Sequence, residues 1–201
     1  YYIMKILFFY TSYCQLEINQ NIYELFNLQL KKLNYEINAL DIYIIIHNNN
    51  KDYNYELLLK NTNINGLMNC KYVKDVKLIH TVKNKGYLWG AQEALCDNYD
   101  LYKDMDFVIH LNTNIFVKRI DTLIKFLFDN IKYENTVFFV NEFIRRKIGE
   151  YGFKTDFTIF KPKINFYSFY KNELFLKSLK CRIIPENVIK QACLVLSLIH
   201  I

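Results

Sequence analysis

Apolar and polar positions along the chain form blocks that predict strands and helices in turn. Short, continuously apolar runs bounded by polar turns are typical of strands buried on both faces. Three runs that are apolar at all but one position each lie at Met4–Tyr10, Leu40–Ile46 and Phe107–Leu111, and a further strand is predicted at Val76–Val82. The Phe107–Leu111 strand is expected to resume at Ile115–Val117, after a short polar break.

Between these runs, apolar residues recur at roughly helical spacing. The predicted helices lie at Leu16–Leu33, Tyr53–Lys60, Tyr87 to about Tyr99, and Ile120–Ile131. Strands that alternate with helices in this way indicate an α/β fold, with a mostly parallel central sheet and helices on both faces.

Beyond Asn135 the pattern is more mixed. Turns are predicted at Gly149 and Gly152. Strands are predicted at Thr136–Val140 and Phe157–Phe160, and helices at Asn172–Lys180 and Asn187–Val195. No Gly/Ser-rich linker interrupts the chain, so we expect residues 1–195 to form a single domain. Residues 196–201 match the translated end of a sequencing adapter, and we expect them to be an artefact.

Composition narrows the class of protein. The 201 residues are 52% hydrophobic and 17% aromatic, which excludes a disordered chain. No apolar run approaches the roughly 18 residues of a membrane span, so none is expected. The five cysteines are widely spaced and contain no Cys-x-x-Cys pair, which indicates neither a disulfide framework nor a zinc site. A reducing, cytoplasmic location is the expectation.

The charge of +6 could indicate an anionic partner such as nucleic acid or a nucleotide diphosphate. However, lysine is abundant together with Asn, Ile, Tyr and Phe, while Gly and Pro number only 5 and 2. That composition is typical of AT-rich coding sequence, to which we attribute most of the basicity. With no helix-turn-helix, zinc-finger or RNP-like motif, no nucleic-acid partner is expected.

In open α/β sheets, ligands bind outside the carboxyl ends of the strands. The polar residues that follow the predicted strands are Thr11 to Tyr13, His47 with Asn48, Lys83 to Gly86, and Asn112 to Asn114. We expect them to meet along one edge of the sheet, called here the rim.

A literal Asp-x-Asp metal motif occurs at Asp104-Met105-Asp106. Asp106 precedes the strand that leads to Asn112, and six residues at about 3.3 Å each put the two ends roughly 20 Å apart. Asp104 and Asp106 are therefore interpreted as polar residues at the strand entrance.

Several segments, in their order and spacing, resemble a known family. These are Lys83–Tyr87, Gly90–Leu95, Phe107–Val117, Lys154–Lys163 and Pro185-Glu186. Over about Met4 to Val195 the chain resembles small GT-A glycosyltransferase domains of large DNA viruses of algae and amoebae. The resemblance implies the GT-A fold and a nucleotide-diphosphate sugar, typically a UDP-sugar, as donor. It also implies a carbohydrate or glycoprotein acceptor and a divalent cation bridging the donor phosphates.

By this resemblance, Asn112 and Asn114 stand at the metal-binding positions, where the family carries aspartates. An amide oxygen has no formal charge, so a Mn²⁺ or Mg²⁺ site should be weakened or absent. A metal-free site could instead use nearby cations, most of which we expect to be solvated: Lys83, Lys85, Lys118, Arg119, Arg145 and Arg146. The predicted donor-binding residues are Thr11, Ser12, Tyr13, His47, Asn84, Lys85, Gly86 and Thr113.

Asp156 is the predicted general base, because it lies in the segment that resembles the family's Asp-Phe-x-x-Phe-x-Pro pattern. Sugar binding or turn capping is an equally favoured role for it. Glu186 is the second catalytic candidate, although it could simply favour a helix start. His110, inside a strand, is expected to be packed and hydrogen-bonded. The chain is thus predicted to be a glycosyltransferase; the alternative is a catalytically weakened sugar-nucleotide or glycan-binding module.

Overall fold

A computed structural model describes residues 2–12, 16–36, 39–48, 64–81, 94–95, 97–112, 117–133, 137–139, 142–145, 150–153 and 157–162. In chain order its elements are β1 (Met4–Ser12), α1 (Leu16–Lys31), β2 (Leu40–Asn48), α2 (Ile64–Met68), β3 (Val73–His80), a 3-10 helix (Tyr99–Leu101), β4 (Phe107–Asn112), α3 (Ile120–Asp129), β5 (Val137–Phe139), β6 (Glu142–Arg145), β7 (Glu150–Phe153) and β8 (Phe157–Phe160).

One sheet organises the described residues. Its six strands follow the order β3-β2-β1-β4-β8-β5. The first four are parallel to one another, whereas β8 runs antiparallel to both β4 and β5. Strands β6 and β7 form a separate antiparallel pair. The expected α/β architecture, with a mostly parallel sheet and a mixed C-terminal half, is confirmed.

The sheet is covered on both faces, which explains the continuous apolar runs of its central strands. On one face, α1 and α3 pack against alternate residues of β1 and β4 through Tyr23, Phe26, Leu30, Ile120, Ile124 and Leu127. The opposite face carries Leu7 and Phe9, which are 1% and 0% exposed. There, Leu101 of the 3-10 helix lines a cavity together with Leu7.

The strands differ from the sequence prediction mainly at their ends. Strands β1 and β2 each continue two residues further than predicted, through Ser12 and Asn48, because their polar residues stay in register with each other. Strand β3 begins and ends earlier than Val76–Val82. The predicted resumption of β4 is wrong at Val117, which lies outside any strand and is buried in the core.

In the C-terminal half, β5 and β8 lie where strands were predicted, but the β6–β7 pair was missed. Gly152 is not a turn residue: it lies within β7 and pairs with Phe143. Predicted features outside the described residues are the helices at 53–60, 172–180 and 187–195, most of the helix at 87–99, the turn at Gly149, and the tail at 196–201. Within the described ranges, no helix is both long and apolar enough to cross a membrane.

Candidate functional site at the strand ends

The sheet register brings the ends of three parallel strands together. Thr11 of β1 is the partner of His47 on β2 and of Asn112 on β4. Ser12 is the partner of Asn48 on β2. Adjacent strands lie about 4.7–4.9 Å apart, so these predicted rim residues are direct neighbours. The other predicted site residues lie outside the described ranges: Tyr13, Asn84, Lys85, Gly86, Thr113, Asn114, Asp156 and Glu186.

The neighbours at the rim differ in depth. Thr11 is 5% exposed and His47 is 0% exposed, whereas Asn112 is partly exposed. Thr11 and His47 therefore form the floor of the rim, and Asn112 reaches its surface. A ligand on the rim would touch Asn112 before it touched either floor residue.

The Thr11 hydroxyl is hydrogen-bonded to the ring of His110, with 2.8 Å between Oγ1 and Nε2. His110 is fully buried, as expected for a packed strand histidine. Burial, with a smaller contribution from His47, lowers the pKa of His110 to about 3. The ring is therefore neutral at pH 7.

A second histidine–threonine pair joins β2 to the residue after β3. His47 Nε2 lies 2.9 Å from Thr81 Oγ1, and the backbone N–H of Thr81 donates to Asn48 O at 3.0 Å. Burial, and then the neighbouring His80, lowers the pKa of His47 to about 4. Sequence reasoning missed Thr81 because it placed this residue inside the strand predicted at Val76–Val82. The signal was available, since Thr81 is the first hydroxyl residue after the apolar pair Leu78-Ile79.

Phe9 separates the two histidine rings. Its ring centroid lies 6.0 Å from that of His47, in a stacked arrangement, and 5.5 Å from that of His110. The ring of Phe9 thus contacts both neutral imidazoles, and each imidazole is hydrogen-bonded to a threonine. The floor of the rim is a buried layer of ring contacts and hydrogen bonds.

The literal Asp-x-Asp motif lies at the opposite end of the sheet and has a structural role. Asp106 Oδ2 accepts a hydrogen bond from the Lys5 backbone N–H at 2.7 Å, and Oδ1 accepts one from the Tyr2 hydroxyl. The Asp106 backbone N–H donates to Lys5 O at 2.8 Å. Asp104 is exposed. The interpretation of Asp106 as a strand-entrance residue is confirmed.

Known structures with a similar fold were found, although the sequence itself matches no protein-family model and no curated protein. The mannosyltransferase PcManGT from Pyrobaculum calidifontis, solved in complex with GDP-Man and Mn²⁺, aligns with a TM-score of 0.51 at 10% identity. The alignment covers 80% of this chain and 45% of that one. This chain has the GT-A fold. It spans less than half the length of the mannosyltransferase chain.

Mouse xyloside xylosyltransferase 1, in its apo form, aligns with a TM-score of 0.49 at 12% identity. That alignment covers 96% of this chain and 75% of the other. In the GT-A fold of the present chain, the rim is the carboxyl edge of the parallel strands, where open α/β sheets bind ligands.

The described residues of this GT-A rim do not by themselves fit a resident divalent cation. Asn112 offers one neutral amide oxygen, while His47 and His110 are buried and hydrogen-bonded to threonines. No group of three or more His, Cys, Asp or Glu side chains suited to a metal occurs in the described ranges. Hard cations such as Mg²⁺ prefer carboxylate and phosphate oxygens, so a cation would need ligands from elsewhere.

Two of the six candidate cations for a metal-free site are described with their side chains. Lys118 and Arg119 are both exposed, and Arg119 Nη2 lies 2.9 Å from Asp121 Oδ2. Exposed pairs of this kind contribute little to stability because water and salt screen their charges. Arg145 lies in β6, and Lys83, Lys85 and Arg146 lie outside the described residues.

Proposed function

We propose that this GT-A domain is a glycosyltransferase, moving a sugar from a nucleotide-diphosphate sugar to a hydroxyl of a glycan or glycoprotein. A UDP-sugar is the first donor to test, followed by a GDP-sugar because the similar mannosyltransferase was solved with GDP-Man. One observation carries the proposal: the ends of β2, β1 and β4 meet at a rim with a polar floor and one partly exposed amide, Asn112.

The start of β8 supports Asp156 as the catalytic carboxylate. Phe157, the first residue of β8, is the partner of Leu111, the residue before Asn112. Asp156 directly precedes Phe157 in the sequence and itself lies outside the described residues. Glu186 remains the alternative base.

The proposed chemistry is a single displacement, with inversion as the family-level expectation. The acceptor oxygen attacks the anomeric carbon and gives its proton to the Asp156 carboxylate. The bond from the anomeric carbon to the diphosphate oxygen breaks, and its electron pair leaves with the nucleoside diphosphate. Charge on the leaving group would be stabilised by cationic side chains, with Lys83 and Lys85 as candidates.

A divalent cation would be recruited mainly by the phosphates of the bound donor, with Asn112 and Asn114 adding neutral amide oxygens. We therefore expect weak cation binding in the absence of nucleotide. The second candidate function, a binding module without turnover, is favoured by this same loss of charge. It would use the rim to hold a sugar nucleotide or glycan without stabilising a leaving group.

One set of measurements separates the two functions. Binding of UDP-sugars and GDP-sugars is followed by calorimetry, and hydrolysis or transfer by release of nucleoside diphosphate, each with and without manganese. The variants are Asp156→Asn and the matched control Asp104→Asn, which removes an exposed carboxylate from the other end of the sheet.

A glycosyltransferase should lose about 10²-fold or more in turnover in Asp156→Asn, while donor affinity stays within a fewfold. Asp104→Asn should match the wild type. Donor binding without turnover in the wild type would support the binding module. Unchanged turnover in Asp156→Asn would remove Asp156 from the catalytic role.

A further inference from the structure

Thr81 is held at the end of β3 by two hydrogen bonds from β2. Its side chain pairs with His47 Nε2 at 2.9 Å, and its backbone N–H donates to Asn48 O at 3.0 Å. Thr81 is partly exposed, whereas His47 is 0% exposed. In the sequence, the predicted donor-binding residues Asn84, Lys85 and Gly86 follow shortly after Thr81. Of the two side chains, Thr81 is the one that a ligand could reach.

The surroundings of the other ring nitrogen, Nδ1, decide which group donates in the hydrogen bond between His47 Nε2 and Thr81 Oγ1. His47 is neutral at pH 7, because burial lowers its pKa to about 4, so one ring nitrogen carries hydrogen and the other does not. Within the described residues, Nδ1 has no hydrogen-bond partner. A buried N–H left without a partner is rarer than a buried acceptor left without one. The hydrogen therefore belongs on Nε2, which donates to Thr81 Oγ1.

We propose that His47 is a positioning residue: by donating to Thr81 Oγ1, it leaves the Thr81 hydroxyl hydrogen to bind an acceptor oxygen of the nucleotide sugar. That oxygen belongs to the diphosphate or the ribose, both of which are rich in acceptors. The inference rests on the proposed function and changes the predicted role of His47, which supports a contact residue instead of contacting the donor itself.

A double-mutant cycle in donor affinity tests the proposal, using UDP, GDP, UDP-glucose and GDP-mannose as probes. Thr81→Val keeps the shape and removes the hydroxyl, and should weaken binding about tenfold or more. Thr81→Ser should stay within about threefold of the wild type, since it retains the hydroxyl. His47→Leu should weaken binding, and His47→Gln should recover part of the loss because its amide N–H can replace Nε2–H.

The cycle must be non-additive if His47 acts through Thr81. His47→Leu should then have little further effect on affinity in a Thr81→Val background. The matched control is Tyr72→Phe, next to the other end of β3. It removes a hydroxyl that donates to Tyr35 O and accepts from the Tyr35 N–H, both at 2.5 Å. This control loses two hydrogen bonds away from the rim and should bind donor like the wild type.

Additive effects of His47→Leu and Thr81→Val, or equal affinities of His47→Leu and His47→Gln, would overturn the positioning role while leaving the proposed function intact. If the wild type bound none of the probes, both the positioning role and the proposed function would be overturned. Nitrogen-15 NMR of the His47 ring gives a readout without ligand: the expected result is the Nε2–H tautomer. A Nδ1–H tautomer would overturn the proposal whatever the donor affinity.

Discussion

Acid should destabilise this fold through the buried imidazole of His47. The neutral ring stacks on Phe9 and is hydrogen-bonded to Thr81, and the nearby His80 further disfavours a charge on it. A proton on His47 would place a charge in this buried layer. The folded state therefore resists protonation, and the unfolded chain does not.

The sign and size of the effect follow from the two pKa values. The pKa of His47 is lowered in the folded state from 6.5 to about 4. The unfolded state thus binds more protons between these values, so the stabilising contribution is complete above pH 6.5 and is lost as the pH falls toward 4. For one such group, linkage gives a loss of about 2 kcal/mol between pH 7.5 and pH 5.

The assay is urea denaturation of the wild type and of His47→Gln at pH 7.5 and pH 5. Other titrating groups contribute alike to both proteins, so the difference between the two pH-dependent losses isolates His47. The wild type should lose about 2 kcal/mol more of its unfolding free energy than the variant, with an unchanged denaturant slope. Equal losses within about 0.5 kcal/mol would refute the description of His47 as a buried, neutral residue.

Three further predictions concern other parts of the rim and the sheet. Thr11→Val removes the hydrogen bond to His110 and should lower the unfolding free energy by about 1–2 kcal/mol, measured by chemical denaturation. The exposed control Thr122→Val should change it by less than about 0.5 kcal/mol. Equal effects of the two substitutions would show that the bond is unimportant. Asn112→Asp combined with Asn114→Asp should increase the manganese dependence of donor binding measured by calorimetry, and no change would mean that these positions do not face the diphosphate. Asp106→Asn should lower the melting temperature because the Lys5 N–H loses a charged acceptor, yet leave donor affinity unaltered; a loss of affinity would revive the literal Asp-x-Asp motif.

The central strands were predictable because burial on both faces leaves a continuous apolar run. Strands β1, β2 and β4 were therefore found within two residues. Their true ends were not predictable from apolarity, since Thr11 and His47 continue the hydrogen-bond ladder as polar residues. The β6–β7 pair was missed for a related reason: strands of four residues are too short to show a period.

The location of the site could be predicted from the sequence, but the burial of its side chains could not. Residues after parallel strands must meet at one edge, which brought Thr11, His47 and Asn112 together correctly. Whether each side chain reaches solvent depends on the layers above the sheet, and a one-dimensional pattern does not contain that information. The burial of the His47 and Thr11 side chains was therefore not predicted, and their predicted role in donor binding stays a prediction. Thr81 was missed because the end of β3 was placed two residues too late.

The floor also explains what holds the strand ends of this GT-A rim together. Burying a polar group is costly unless it is hydrogen-bonded, and here Thr11 with His110 and His47 with Thr81 satisfy one another across the strands. The described strand ends are therefore linked by side-chain hydrogen bonds as well as by the sheet. A substitution at the more exposed Asn112 should then change what the rim binds without unravelling the strands beneath it. Under the proposed sugar transfer, Lys83 and Lys85 would neutralise charge on the leaving group and Asp156 would take the acceptor proton, which is why Asp156→Asn is the decisive variant.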